Sequence, residues 1–376
     1  MRRRAETSLW FLMGVFLAVP LHASAPQSVT IAQLRQLLLQ QRAHHARDEK
    51  VANFAAHLQL SESLSEDAYD RLIAELKPGA QTVQALEFIA DRSTFMLPPA
   101  DTLLGQPVPD ADQRKHLGTA LGNFALVTMH RLPNFLVARV THTYNDIQTI
   151  STLGESISLP TGTLHPAGTY KEIITYRDGE EVLASDPRRK SFWHSAQLRP
   201  FGLTSSGEFG PALIMVLTDS ARGSLNWQHW VKTDTGLEAV LVYRVPKPAS
   251  HFGIGLCWSQ DPTLGSQPGT GGYCGTPAYH GLLIVDPATG TVRRLTIEAS
   301  FEPSDHVKRA AISITYGPVD IGGNTYICPL RSVAIYSTTL LTSPRQLPIL
   351  NLNEVHFTNY HRFGSTVQIL TGPPPQ

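Results

Sequence analysis

The chain of 376 residues is poor in charge. Only 16% of its residues are Asp, Glu, Lys or Arg, against about 25% in an average soluble domain. The two signs cancel at 31 each, so there is no basic field to concentrate a phosphate backbone, and nucleic acid is not an expected partner. Cysteine is almost absent, with three residues and no Cys-x-x-Cys pair, which excludes a thioredoxin-type redox motif and a cysteine zinc cluster. No apolar run reaches the roughly 18 residues that a membrane-spanning helix needs. Disorder is excluded from the other side, because 42% of the chain is hydrophobic and disordered segments combine low hydrophobicity with high charge. Prolines, by contrast, are plentiful at 27, against about 19 at the usual ~5%. Many turns and short elements follow, and the length suits roughly two or three domains.

The N-terminus has a processing pattern. Arg2, Arg3 and Arg4 precede the apolar run Leu9 to Val19, then Pro20 and Ala23-Ser24-Ala25. A basic start, a short apolar stretch and small residues predict a secretory signal over residues 1–25, cleaved after Ala23 or after Ala25. The mature protein is then exported, periplasmic or associated with the outer membrane. An oxidising compartment makes a disulfide reasonable. Cys257 and Cys274 flank a Gly-, Pro-, Ser- and Thr-rich loop, and closing a loop of that length stabilises by about 3 kcal/mol in the chain-entropy treatment. Cys328 is left over.

The periodicity divides the rest. Residues 29–93 carry helical stripes: Ile31, Leu34, Leu38; then Val51, Phe54, Ala55, Leu58; then Val83, Leu86, Ile89, Ala90. Ser65 with Glu66 and Asp67 starts a helix that Pro78-Gly79 stops. Residues 94–113 hold Pro98, Pro99, Pro107 and Pro109 and read as a linker. After a helix over about 114–130 the period becomes two, as in Leu136, Ala138, Val140, His142, Tyr144 and again in Leu237, Ala239, Leu241, Tyr243, Val245. The turns Asp286-Pro287-Ala288-Thr289-Gly290 and Ile321-Gly322-Gly323-Asn324 join strands as hairpins. An antiparallel sheet over 114–370 is therefore expected, with one helix near Glu208–Leu217 and a frayed tail over 371–376. The fold class is α+β: a bundle of short helices, then a curved, mostly antiparallel half-barrel with a covering helix.

Chemistry-bearing motifs are missing. There is no His-Glu-x-x-His, Gly-x-Ser-x-Gly or Walker loop. Gly269-Thr270-Gly271-Gly272-Tyr273-Cys274 approaches a dinucleotide fingerprint but leads into strand residues, without the helix N-terminus that would hold a pyrophosphate. Trp193-His194-Ser195 sets a base beside a nucleophile, but neighbours on an extended chain face opposite ways. His44 and His45, adjacent on a helix, diverge likewise and make no metal site. No catalytic residue, metal or cofactor is expected. The aromatics are more informative. Phe209 and Leu213 on the covering helix, with Trp227, Trp230 and Tyr243 on strands, are ordinarily core; under a curved sheet they are candidates to line an apolar cleft for an acyl chain.

Leu132-Pro133-Asn134-Phe135, Gly207-Glu208-Phe209-Gly210, the stretch Tyr279 to Gly290, Tyr316 to Gly323 and Phe357-Thr358-Asn359-Tyr360 resemble a set of exported bacterial proteins without assigned function. Over about 115–370 these are similar to the periplasmic lipoprotein-carrier and outer-membrane lipoprotein-sorting superfamily. The resemblance implies a half-barrel covered by helices, with acyl chains in an apolar cleft and a lipid or lipidated protein as partner. The chain is about twice the carrier length and adds the helical unit. That unit, lacking a cluster of inward-aimed polar groups, is expected to be dispensable for binding. The alternative is a cell-envelope structural or protein-interaction module with a filled core. Peptide mapping without reductant is expected to find Cys257 joined to Cys274; finding Cys257 free or joined to Cys328 overturns that pairing.

Overall fold

The computed structural model of the chain describes residues 28–99, 107–128, 131–152, 155–183, 197–199, 202–205, 207–233, 236–256, 273–339 and 347–363. The helical unit begins with β1 (Ser28–Val29), α1 (Ile31–Ala43), α2 (Asp48–Ala56) and β2 (Gln59–Leu60), and continues with α3 (Glu66–Leu76) and α4 (Ala80–Ser93). Thr30 and Gln33 form a reciprocal capping box at α1, which satisfies amides that the helix itself leaves open. Helix α4 starts at Gly79, which has no side chain to cap with, and Asp48 of α2 does so instead. Its carboxylate accepts from the Gln81 and Thr82 amides at 3.0 and 3.3 Å and from the Thr82 hydroxyl at 2.5 Å. Glycine at position 79 leaves room for this cap, since a Cβ would fall 2.4 Å from the Asp48 carboxyl and displace it. Strand β1 pairs in parallel with β2, a contact the periodicity does not announce. The stripes on the four helices meet in one core, with Leu34, Leu38, Ala55, Leu72, Leu76, Leu86 and Ile89 buried.

Helix α5 (Ala111–Asn123) follows and ends in a π-helical turn, Phe124–Thr128. Its Asp110–Gln113 capping box sets the start earlier than the sequence alone suggests. Next come β3 (Phe135–Thr152), β4 (Glu155–Arg177), β5 (Glu180–Leu183), the short β6 (Gln197–Arg199) and β7 (Gly202–Thr204), then α6 (Pro211–Ser220). The chain continues through β8 (Ser224–Thr233), β9 (Gly236–Val245), β10 (Ile254–Leu256), β11 (Tyr273–Gly275), β12 (Ala278–Val285) and β13 (Val292–Ser300). It finishes with β14 (Val307–Asp320), β15 (Thr325–Thr339) and β16 (Pro348–Arg362). Ten strands form one curved, open sheet in the order β5-β4-β3-β16-β15-β14-β13-β12-β9-β8, and every pairing in it is antiparallel. Four short strands make a second sheet, β11-β10-β6-β7. The fold is α+β, as expected.

Both expected hairpins form. Gly322 and Gly323 have φ of +65° and +84°, the region that favours glycine. In the other hairpin Asp286 accepts from the Ala288 and Thr289 amides. Gly290 there lies so close to α5 that a Cβ would sit 2.1 Å from the carbonyl carbon of Ala120.

The long sheet has two covered faces. On one, α5 and α6 pack over Ala239, Leu241, Tyr243, Leu283, Leu295, Ile312 and Ile314. On the other, α4 brings the helical unit onto the sheet. Phe88 packs with Val333, Ile335 and Leu352, and its ring meets Tyr144 edge-on at 4.6 Å. Asp91, buried on the same side of α4, is ion-paired with Arg331 of β15, which also holds Glu354 of β16 at 2.8 Å. Thr94 and Phe95, expected to belong to a linker, are packed as well: Thr94 bonds Ser313 at 3.0 Å and the Arg309 guanidinium lies over the Phe95 ring at 5.1 Å. The expectation that the helical unit aims no polar groups inward is therefore corrected. Helix α4 has two buried sides, one apolar toward its own unit and one mixed toward the sheet. Phe88→Ala is expected to lower the unfolding free energy by about 3–5 kcal/mol, the usual cost of emptying a buried aromatic site. Urea unfolding followed by tryptophan fluorescence checks this; a change under ~1 kcal/mol would mean that α4 is not docked through Phe88.

Candidate functional site

The face under α6 is closed. Leu213 exposes none of its surface, and Phe209 and Tyr243 expose 1% each. Leu213 and Tyr243 belong to the main core. Tyr243 lies flat enough to donate its hydroxyl to the Thr296 carbonyl at 2.6 Å, which Gly281 permits, since a Cβ there would sit 2.7 Å from the tyrosine oxygen. Trp227 and Trp230 pack at the edge of that core, ring to ring at 5.8 Å, and Trp230 donates to the Pro107 carbonyl at 3.0 Å. Phe209 precedes α6 and sits in a separate aromatic cluster with Phe135, Tyr176, Phe357 and Tyr360. The five residues expected to line a cleft are thus core side chains, divided between two clusters. Helix α6 is short and almost wholly apolar, and it seats Leu213 and Val216 directly in the main core.

Two buried polar clusters lie at the ends of α6. Before it, Glu208 accepts from Ser205 at 2.5 Å and from Ser332 at 3.4 Å and faces Arg139 at 3.6 Å. Glu181 joins them from β5, where burial first and Glu208 second push its carboxyl up to about 7, against the pull of Arg139. After α6, Asp219 accepts from the Tyr279 hydroxyl at 2.8 Å and from His251 twice, at its backbone amide (2.8 Å) and at ring Nδ1 (2.5 Å). Orienting a histidine by a buried carboxylate recurs in hydrolases. Here it ties the turn Lys247–Ala249 to the helix. Cys328 is free and buried; Cys257, and with it the expected pairing to Cys274, lies outside the described residues, as do His194 with its neighbours and the glycine run 269–272.

Among the described residues, two clefts lie on the α4 face. One cleft of about 470 Å³ has Phe95, Leu97, Val242 and Leu282 as apolar lining, with Asn226, Arg244, His280, Thr296 and Glu298 around them. A second, of about 530 Å³, lies between α3 and α4 on one side and β3, β13, β14, β15 and β16 on the other. Its titratable groups have diverging environments. Burial and the nearby Glu354 raise Glu87, which accepts from Tyr69 at 3.4 Å. For Glu354 burial acts upward, but the bonds from His356 and Arg331 prevail and bring it down to about 2. Burial lifts Asp91 to about 7 against Arg331, and pushes Tyr144 up to about 12. Divergent carboxylates in a cleft mark a candidate site. Among the described residues no group of three or more His, Cys, Asp and Glu is placed to hold a metal, and no helix is long and apolar enough to cross a membrane.

Neither a family model nor a curated protein nor a solved structure matches the chain.

The residues around the second cleft escape sequence reasoning because each looks ordinary alone. The available signal was a charge out of place: Asp91 follows Phe88 by three positions, on the buried side of a helix, and Arg331 stands within the largely apolar stretch Ile327 to Tyr336. Glu181 has a measurable consequence. Its folded form keeps a proton between the unfolded carboxylate range and about 7, so its contribution to stability is present at low pH and is lost as pH rises through that window. Glu181→Gln is expected to be more stable than the parent by about 1–3 kcal/mol at pH 8 and nearly equal to it at pH 4. Paired thermal melts at the two pH values check it, and equal destabilisation at both would show that Glu181 is ionised and needed.

Proposed function

We propose that the chain is an exported, non-catalytic binding protein that takes a hydrophobic or amphiphilic ligand, a lipid chain or an acylated partner. Its binding place is the cleft lined by Phe95, Leu97, Val242 and Leu282. The observation that carries this reading is the uncovered part of the sheet beside the end of α4. About 470 Å³ of space there is lined by Phe95, Leu97, Val242 and Leu282 together with polar side chains of the strands, within the size range of small-molecule sites. An acyl chain would lie along those four apolar side chains and its polar end on Arg244, His280 or Glu298. The export pattern of Arg2 to Ala25 and the resemblance to lipoprotein carriers support the same reading. The site differs from the one the resemblance implies, since the space under α6 is filled by Leu213 and Tyr243.

That filled face supports a second reading, an envelope interaction module without a ligand, and the two readings differ in outcome. Organic extracts of the purified protein, examined by mass spectrometry, are expected to contain lipid, and a fluorescent fatty acid is expected to bind. Leu97→Asp, at a position 42% exposed and therefore tolerant of change, is expected to weaken that binding by about tenfold, from the ~1.5 kcal/mol of one lost apolar contact. Clean extracts with no fatty-acid binding leave the module reading in place.

A further inference from the structure

The second cleft carries an inference beyond lipid binding. Its floor is one row across four strands: Arg294 stands opposite Thr315, Thr315 opposite Arg331, and Arg331 opposite His356. Neighbouring strands are about 4.8 Å apart, so these side chains form a contiguous polar strip on the α4 face. Arg331 is committed to Asp91 and Glu354. Arg294 is not. Among the described residues its guanidinium makes no hydrogen bond or ion pair, and its Nε is fully buried without a partner. An arginine so placed presents a planar donor fork, the geometry that carboxylates and phosphates match with two parallel bonds.

The opposite wall has the other sign. Glu66 and Asp70 lie one turn apart on α3, Glu87 faces them from α4, and all three line the same cleft with Tyr69 and Tyr144. On the sheet floor Glu354 is already held by Arg331 and His356. Arg294 has no hydrogen-bonded or ion-paired partner among the described residues, and of the carboxylates it feels the field of Glu238 and Glu66. The other carboxylates are on the helical wall, so the cleft is dipolar. A ligand of one sign would satisfy one side and be repelled by the other. We propose that this cleft binds a small zwitterion, its carboxylate or phosphate seated on Arg294 and Thr315 and its ammonium against Glu66, Asp70 and Glu87. The volume of about 530 Å³ suits a dipeptide or an aminoalkyl phosphate head group. Because helix and sheet each supply half of the site, the docking of α4 is what assembles it.

Calorimetric titration of the full chain with alanyl-alanine and, separately, with phosphoethanolamine tests this and distinguishes the two sources of the anionic group. At least one is expected to bind saturably, with about a tenfold or greater loss when its amine is acetylated, since a charged hydrogen bond is removed. Arg294→Gln is expected to lose the same ligand to a similar extent while binding of the fluorescent fatty acid in the other cleft stays unchanged. Should that variant fail to fold, Thr315→Val supplies the same comparison. Failure of both compounds to bind the parent protein, or binding by Arg294→Gln with an unchanged Kd, overturns the proposal.

Discussion

Docking of helix α4 against the sheet is the constraint from which the accessible surfaces of this protein follow. The helix presents Leu86 and Ile89 to its own unit and Phe88 and Asp91 to the sheet, so it has little free side left. Arg331 is the anchor on the other side, bound at once to a helix carboxylate and to Glu354 on the neighbouring strand. A buried ion pair is weak evidence of stability, because desolvation opposes the attraction. Its geometric demand is strict, however, and it specifies one position of the helix on an otherwise sliding apolar contact. Thr94 on Ser313 and Phe95 under Arg309 continue that contact past the end of the helix.

The two clefts are consequences of this docking. The helical unit is narrower than the ten-stranded sheet, and its placement over β14, β15 and β16 leaves space on either side of α4. In one space the strands present Val242 and Leu282 among polar side chains such as Arg244 and His280; in the other they present Arg294, Thr315 and Arg331. Strand alternation decides which residues reach which side. The same strands present Leu241, Leu283, Leu295 and Ile314 to α6, where a short apolar helix fills the concavity. A sheet covered on both faces thus keeps a dry core on one side and solvent-accessible sites on the other.

Much of the architecture is readable from periodicity and turn chemistry. The change from helical stripes to alternation near Phe135, the cap at Ser65, and the hairpins at Asp286–Gly290 and Gly322-Gly323 are local features, and they form as their sequences require. The helix near Glu208–Leu217 is also visible, with Pro211 suited to a first helical position and Ala212, Leu213, Met215 and Leu217 as good helix formers. What periodicity misjudged was the use of that helix. Phe209, Leu213, Trp227, Trp230 and Tyr243 have the composition of a lipid pocket and also of a packed core, and the choice depends on how closely α6 approaches the sheet. No local pattern encodes that distance.

By itself, then, the sequence determined the fold class, the succession of helical unit and antiparallel sheet, and the apolar faces of those elements that its periodicity marks, because these depend on interactions between residues a few positions apart. Tertiary structure decided where the helical unit docks, which apolar face is closed and which charges meet. Asp91 and Arg331 are 240 positions apart, and Arg294, Thr315, Arg331 and His356 become neighbours only through strand register. Contacts of that range are set by the global packing of side-chain volumes and by the pairing of buried charges. A buried aspartate beside Phe88 marks where such a contact must form, but its partner is known only once the sheet has brought it there.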